Sequence, residues 1–349
     1  MLEIITVEEK EKWNKIVRSF ADYEVFYLNE YVQAFQMQGN GDPLLFYYED
    51  VDGRAMNVVM KRDIALDKQF EGKLNKNKYY DISTPYGYGG IWYEKQFPKK
   101  FLTEYEDYCR KNGYVSEFIR FELFQDFYKY YDGEVETRTH NIVRNLEMPL
   151  DEMLMDFEHK VRKNLKKAVR NELCILIDED GSRLDDFLKI YYETMERNEA
   201  SDSYYFSKEF YEKINEMKDN IVYFYVMYEE KIISTELVIY GAKNAYSYLG
   251  GTDSNFYELR PNDFLKFEII KWCKEKGLEN FVLGGGYGED DGIFRYKKSL
   301  APNGVRDFYI GRKIINETVY KELVEIRQKM GTLEKESQYF PEYRSYKTK

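Results

Sequence analysis

Apolar and polar positions alternate in this chain with two distinct periods, one helical and one suited to strands, and they often follow one another. In FLKFEIIKWCKEKGLENFVL, residues 264–283, the residues Leu265, Ile269, Ile270, Trp272 and Cys273 fall on one helical face. Gly277 then suits a helix C-terminus, where a left-handed residue is cheap, and Phe281-Val282-Leu283 suits a buried strand. FLTEYEDYCRKNGYVSEFIR, residues 101–120, repeats that order: Phe-Leu at the start, an aromatic residue before Cys109, Gly113 four residues on, then Phe118-Ile119. Upstream of each lie a proline (Pro98, Pro261) and a glycine pair (Gly89-Gly90, Gly250-Gly251). A shared order of this kind points to a duplicated domain, with a period far too long for a solenoid repeat.

The run YFYVMYEEKIISTELVIYGAKNAYSYLGG carries turn signals at Glu229-Glu230-Lys231 and Gly241-Ala242-Lys243-Asn244, so it predicts an antiparallel meander. Its counterpart in the first half is LLFYYEDVDGRAMNVVMKRDIAL, turning at Asp52-Gly53. Each half is therefore expected to be α+β, a mixed sheet flanked by helices. Between the halves, DEMLMDFEHKVRKNLKKAVRNEL spreads Lys160, Arg162, Lys163, Lys166, Lys167 and Arg170 over one side of a helix and gathers Val161, Leu165, Ala168 and Val169 on the other. A further helical pattern runs from Glu317 to Met330, and YFPEYR, residues 339–344, reads as extended.

Composition narrows the classes. The chain has 349 residues, enough for two cores, and 43% hydrophobic residues, including 35 Tyr and 23 Phe, exclude wholesale disorder. The opening MLEIITVEEKEKW lacks a basic segment followed by an apolar one, and no apolar run approaches the ~20 residues of a membrane span, so the reading is cytoplasmic. Cys109, Cys174 and Cys273 are widely spaced and the only histidines are His140 and His159, which argues against a disulfide framework and against a metal centre. Neither a Gly-x-Ser-x-Gly elbow nor a Gly-Lys-Ser/Thr phosphate loop occurs. A formal charge of −11 opposes extended contact with a nucleic-acid backbone but leaves local basic patches open.

The sharpest local feature is FVLGGGYGEDDGIFRYKKSL, residues 281–300. A strand ending in Gly284-Gly285-Gly286 lets backbone approach a ligand and expose amide groups to an oxyanion, and Arg295, Lys297 and Lys298 follow at once. Asp290-Asp291 reads as a solvated turn in preference to a cation site. The stretch Arg260-Pro261-Asn262-Asp263 offers a helix start whose free N–H groups favour anions, although Asn262 or Asp263 serves equally as a cap. Cys109 and Cys273 belong to apolar helix stripes, and both histidines read as structural or surface residues. Tyr204, Tyr205 and Tyr287, in expected loops, are the tyrosines best placed to meet a ligand.

Taken together, HKVRKNLKKAVR (159–170), YYETMERN (191–198), LRPNDFLKFEIIKWCKEKG (259–277), the glycine turn with GIFRYKKSL (284–300) and YFPEYR (339–344) resemble the FemAB-type acyltransferases, the peptidoglycan-bridge branch of the GNAT superfamily. The resemblance implies two tandem GNAT-like domains: a discontinuous first one, residues 1–147 plus 314–349, and a second, residues 148–313. It implies amide-bond formation, in which an amine of a phosphate-bearing peptidoglycan precursor attacks an aminoacyl group carried by aminoacyl-tRNA. The alternatives are an acyl-CoA-dependent N-acetyltransferase acting on a cell-wall or surface-glycan precursor, and a non-catalytic ligand-binding module.

By that resemblance Lys297 is the catalytic cation near the transferring ester, and Arg162 meets precursor phosphate. The glycine turn, the helix start, the basic helix and the loop tyrosines, read from the residues themselves, add Lys166, Tyr204, Gly285, Gly286, Tyr287, Arg260 and Asn262 as substrate-binding candidates. No metal and no tightly bound cofactor is implied, the donor being itself a substrate. A tRNA acceptor stem would need only a local patch. In place of the family's Phe-Gly after the lysine stands Leu300-Ala301, and no long heptad insertion separates Met195 from Ile221, so a compact protein without a coiled-coil arm is expected. The stretch ELRPNDFL lacks the glycines of a CoA-pyrophosphate loop, which favours aminoacyl transfer over acetyl-CoA.

Overall fold

A computed structural model describes residues 1–51, 53–286, 288, 291–333 and 339–346. The expected turn residue Asp52, together with Tyr287 and Asp290, lies outside the described residues. The chain divides into two compact units, residues 1–20, 26–138 and 308–349 forming the first and residues 21–25 and 139–307 the second.

The first unit opens with β1 (Glu3–Thr6), α1 (Lys10–Ser19), α2 (Asn29–Met37), β2 (Asp42–Glu49) and β3 (Gly53–Asp63). It continues through β4 (Tyr80–Ser83), β5 (Ile91–Lys95), α3 (Lys99–Lys111) and β6 (Tyr114–Arg120). Strand β7 (Glu134–Asn145) carries the chain into the second unit, with α4 (Leu150–Asp156), α5 (His159–Arg170), β8 (Cys174–Asp178), α6 (Leu184–Arg197) and α7 (Lys208–Asn215). There follow β9 (Ile221–Tyr228), β10 (Lys231–Tyr240), β11 (Asn244–Thr252), α8 (Pro261–Glu275), β12 (Asn280–Gly284) and α9 (Gly292–Leu300). Strand β13 (Val305–Ile314) returns the chain to the first unit, where α10 (Glu317–Lys329) lies.

In the first unit the strands run β1-β2-β3-β4-β6-β13, with β5 also on β3. Within that set only β4 and β6 pair in parallel, among the described residues. In the second unit the order is β7-β12-β11-β10-β9-β8, and β11 with β12 is the parallel pair. A parallel pair needs a crossover, and the repeated helices supply it: α3 precedes β6 and α8 precedes β12. The duplicated sequence thus encodes the same helix-strand step in both units.

Helix α3 buries Phe101, Tyr105 and Cys109, one residue per turn, against Phe46 and Ile119. Helix α8 buries Leu265, Ile269, Ile270, Trp272 and Cys273, each large apolar side chain contributing about 1.5–3 kcal/mol. Consecutive residues of β9 show that its sheet is covered on both faces: Phe224 packs edge-on to Trp272 of α8, while Tyr223 packs against Phe187 of α6. The hairpin between β9 and β10 turns on Glu229 and Glu230, with φ of 44° and 65°. Such a two-residue turn matches strand twist but is strained for side-chain-bearing residues.

The glycine pair Gly250-Gly251 lies within β11, where α6 crosses it. A Cβ on Gly251 would come 2.8 Å from the Ile190 carbonyl oxygen and 2.6 Å from Thr194 Oγ1, so close helix–strand packing accounts for that glycine. Between α6 and β9 the one α-helix is the eight-residue α7.

The end of the chain is anchored by charge. Arg344 Nε lies 2.5 Å from Asp81 Oδ2 and its Nη1 2.7 Å from Asp67 Oδ2, while Tyr343 donates to Asp81 at 3.1 Å. Burial alone would raise the Asp81 pKa, yet the Arg62 and Arg344 guanidiniums hold it below the usual carboxylate range. Arg327, fully buried, donates to the carbonyls of Tyr343 and Ser345. Among the described residues no helix is long and apolar enough to cross a membrane.

Candidate active site

Strands β11 and β12 stay in register only from Asn244–Asn280 to Tyr246–Val282, although β11 runs on to Thr252. One extra residue, Tyr248, bulges from β11 opposite β10, between the pairs Val238–Ser247 and Leu237–Leu249. The two parallel strands are thus paired only over the first residues of each. From α8, Lys266 brings its Nζ 2.5 Å from Glu236 Oε1 and 2.6 Å from Ser247 Oγ. Both members of this ion pair are buried, at 9% and 4% exposure, so each charge depends on the other.

Lys297 of α9 reaches the end of β12 and donates from Nζ to the Gly285 carbonyl at 2.6 Å. Burial, and then the charge of Lys266, bring its pKa down to about 8, against the pull of Glu236 and Asp291. Its ammonium group thus titrates close to neutrality. The glycine turn is shaped to receive it. Gly284 has φ of +81°, a conformation other residues adopt only under strain, and a Cβ there would stand 3.2 Å from Lys297 Nζ. At Gly286 a Cβ would collide with the Asp291 carboxylate at 2.5 Å. Asp291 caps α9, accepting from Phe294 N at 2.7 Å and from Gly288 N at 3.0 Å.

A cavity of about 660 Å³ opens where α5, the start of α8 and α9 converge. Lys160, Arg260 and Arg295 bring positive charge to its wall. Arg260 caps α8 in the left-handed region, φ 65°, directly before Pro261, so the helix start and the guanidinium face the same space. Asp263 lies on the same wall, 7% exposed, and accepts from Asn164 Nδ2 at 3.0 Å. Burial raises its pKa despite that hydrogen bond and the charges of Arg260 and Lys160. The Tyr296 hydroxyl is buried with no hydrogen-bond partner, and its ring lines the cavity; burial, then the charges of Asp263 and Glu236, push the phenol well up.

The residues singled out from sequence fall into separate places. Arg260 and Asn262 line the cavity, Asn262 Oδ1 also accepting from Thr252 Oγ1 and, at 3.3 Å, from Ser234 Oγ. Gly285, Gly286 and Lys297 form the glycine-turn site, and Lys297 is not among the cavity-lining residues. Arg162 turns back on its own chain, donating to the carbonyls of Met155 at 2.8 Å and Phe157, which closes the elbow between α4 and α5. Lys166 is exposed on α5, and the carbonyl of Tyr204 accepts from Tyr191; neither lines the cavity. Tyr205 stacks on Tyr192.

Cys109 and Cys273 are buried, and burial pushes both thiols up, away from nucleophilic thiolates. His140 pairs with Asp307 at 2.9 Å near the surface. Among the described residues no cluster suited to a metal ion occurs. Sequence reasoning did not single out Glu236, Lys266, Asn164 or the Tyr296 hydroxyl. For the first two a signal existed: Glu236 directly precedes the apolar Leu237-Val238-Ile239 of a strand and Lys266 stands between Leu265 and Phe267 on a helix, and a charge buried there must find a partner.

Residues 156–298 match the acetyltransferase (GNAT) domain family. No curated protein matches the sequence. Among solved structures the chain resembles FemX, at 14% identity and a TM-score of 0.65, over 92% of this chain and 99% of that one. It also resembles L-PGS from Bacillus licheniformis, at 14% identity and a TM-score of 0.55, over 94% and 98% of the two chains. A third is the C-terminal domain of a putative lysylphosphatidylglycerol synthetase from Agrobacterium fabrum, at 13% identity and a TM-score of 0.56, over 92% and 96%. At these identities the likeness is one of fold. The match makes residues 156–298 a GNAT-type acyltransferase domain, within a chain built on the fold it shares with FemX.

Proposed function

We propose that the protein transfers an aminoacyl group from aminoacyl-tRNA to an amine of a peptidoglycan precursor. The observation that carries this reading is Lys297, a half-buried ammonium group held at a glycine turn at the end of β12. In the reaction the neutral amine attacks the carbonyl carbon of the ester. A C–N bond forms, the C–O bond to the ribose breaks, and the proton lost by the amine is balanced by the one the ribose oxygen gains. Negative charge gathers on the carbonyl oxygen in between, and Lys297 would donate to it in a partly dry setting, where such a contact is strongest. Holding amine and ester in attack geometry supplies much of the remaining rate.

The cavity at the start of α8 suits the phosphate groups near the donor ester, since Lys160, Arg260 and Arg295 meet a helix N-terminus there. The absence of glycines in the segment before α8 supports a donor other than CoA. A second reading, acyl-CoA as donor, draws on the GNAT family match to residues 156–298. The test supplies labelled aminoacyl-tRNA or labelled acetyl-CoA together with a nucleotide-linked muramyl peptide and follows label into the peptide. Transfer from tRNA that falls by about 10²–10³ in Lys297→Met supports the proposal. Transfer from acetyl-CoA alone replaces it with the second reading, and unchanged turnover in the variant removes Lys297 from the mechanism.

A further inference from the structure

The first unit contains a separate cavity of about 470 Å³ whose wall is dominated by cations. Arg62 of β3, Arg120 of β6, Arg138 of β7 and Arg312 of β13 all line it, with Phe118 and Phe308 as aromatic walls. In a chain of net charge −11, four guanidiniums on one hollow oppose the general trend. Two of them are partly balanced: Arg62 Nε lies 2.6 Å from Asp81 Oδ1, and Arg312 Nη2 lies 2.9 Å from Glu136 Oε2. The balance is incomplete, because Arg312 Nε is a buried donor with no acceptor.

Arg120 and Arg138 have no carboxylate partner among the described residues. The Arg120 guanidinium lies over the Phe118 ring and reaches the Thr84 carbonyl at a long 3.5 Å. Burial, with the nearby charge of Arg62 adding to it, pushes Arg120 below the usual arginine range. A desolvated guanidinium kept beside another cation is costly unless an anion completes the site.

We propose that this cavity binds a phosphoryl group of a small anionic ligand, at a site separate from the acyl-transfer centre. The proposal does not depend on the identity of the acyl donor. A carboxylate is planar and is satisfied by one guanidinium fork, whereas a phosphoryl group presents three oxygens in a tetrahedral array. Guanidiniums arriving from four strands fit the second shape.

Inorganic pyrophosphate is the probe. Equilibrium dialysis measures its affinity for the full chain, and mass spectrometry of peptides maps which arginines it shields from phenylglyoxal. The expected result is shielding of Arg138 and Arg312, weakened by rising salt, with affinity at the shielded site reduced about tenfold in Arg138→Ala, the value of one charge-assisted hydrogen bond. Arg138 is exposed, so that variant keeps the fold testable; Arg120→Met is the companion, with the larger loss expected. Absence of binding, or shielding confined to Arg260 and Arg295 of the second unit, overturns the proposal. Equal shielding by tricarballylate, a tricarboxylate without phosphorus, overturns the phosphoryl assignment.

Discussion

Replacing Lys297 by methionine should stabilise the protein at neutral pH while lowering transfer by about 10²–10³. The ordinary lysine value of 10.5 falls to about 8 in the folded chain, chiefly through burial. At about 1.36 kcal/mol per pH unit, holding the ammonium form in the fold costs roughly 3 kcal/mol relative to water. The sign follows from proton counts: between pH 8 and pH 10.5 the unfolded chain holds a proton that the folded chain has released. Raising the pH through that window therefore removes a Lys297 penalty of roughly 3 kcal/mol from the wild type, a contribution that the methionine variant lacks. Urea unfolding of both proteins by tryptophan fluorescence, at pH 7 and at intervals up to pH 10.5, measures the difference directly, the tyrosines common to both cancelling. The variant should lead at pH 7 and lose its lead as the pH rises. Parallel curves for the two proteins would refute the reasoning, because they would mean that Lys297 titrates alike in both states. In the wild type, transfer that needs the ammonium form should decline with an apparent pKa near 8.

Glu236→Gln strands the buried Lys266 charge and should cost about 3–5 kcal/mol in urea unfolding, whereas Glu236→Gln combined with Lys266→Met should recover much of that loss. Arg344→Met should likewise destabilise the first unit; Asp81, held below its unfolded value, contributes fully above about pH 4, and acid titration should show that contribution fading as the pH falls through the folded pKa. Tyr296→Phe removes a buried hydroxyl without a partner, so thermal unfolding should show no loss, or a gain of about 1–3 kcal/mol, while a fall in donor affinity would mark the hydroxyl as a ligand contact. Asn at Glu229 and Gly at Glu230 should relieve the strained hairpin turn and raise the unfolding midpoint by about 1 kcal/mol in stability.

Several site residues show where reading along the chain stops. The basic side of α5 was legible as a charged helical face, yet from that face Lys160 lines the cavity while Arg162 is consumed by carbonyls at the elbow before its own helix. The pair Gly250-Gly251 ahead of Arg260-Pro261-Asn262-Asp263 read as a strand end, followed by a loop and a helix start, but its close packing was not legible. It lies inside β11, and Gly251 answers to the crossing of α6, a contact between segments about 60 residues apart in sequence. Conversely, the triple glycine 284–286 beside Lys297 was visible at once, because the turn and its lysine are neighbours along the chain.

What the amino-acid order by itself determined was local and periodic: the apolar stripes of α3 and α8, the strands that follow them, the hairpin turn at Glu229-Glu230, and the duplication that builds two α+β units. These depend on spacings of a few residues, which any segment carries with it. Only the tertiary structure decided which charges meet. Glu236 finds Lys266 across the layer between sheet and helix, and Arg62, Arg120, Arg138 and Arg312 converge from four strands on one hollow. The physical reason is that a charge's cost and use are set by burial and by its neighbours in space, and neither is a property of sequence distance.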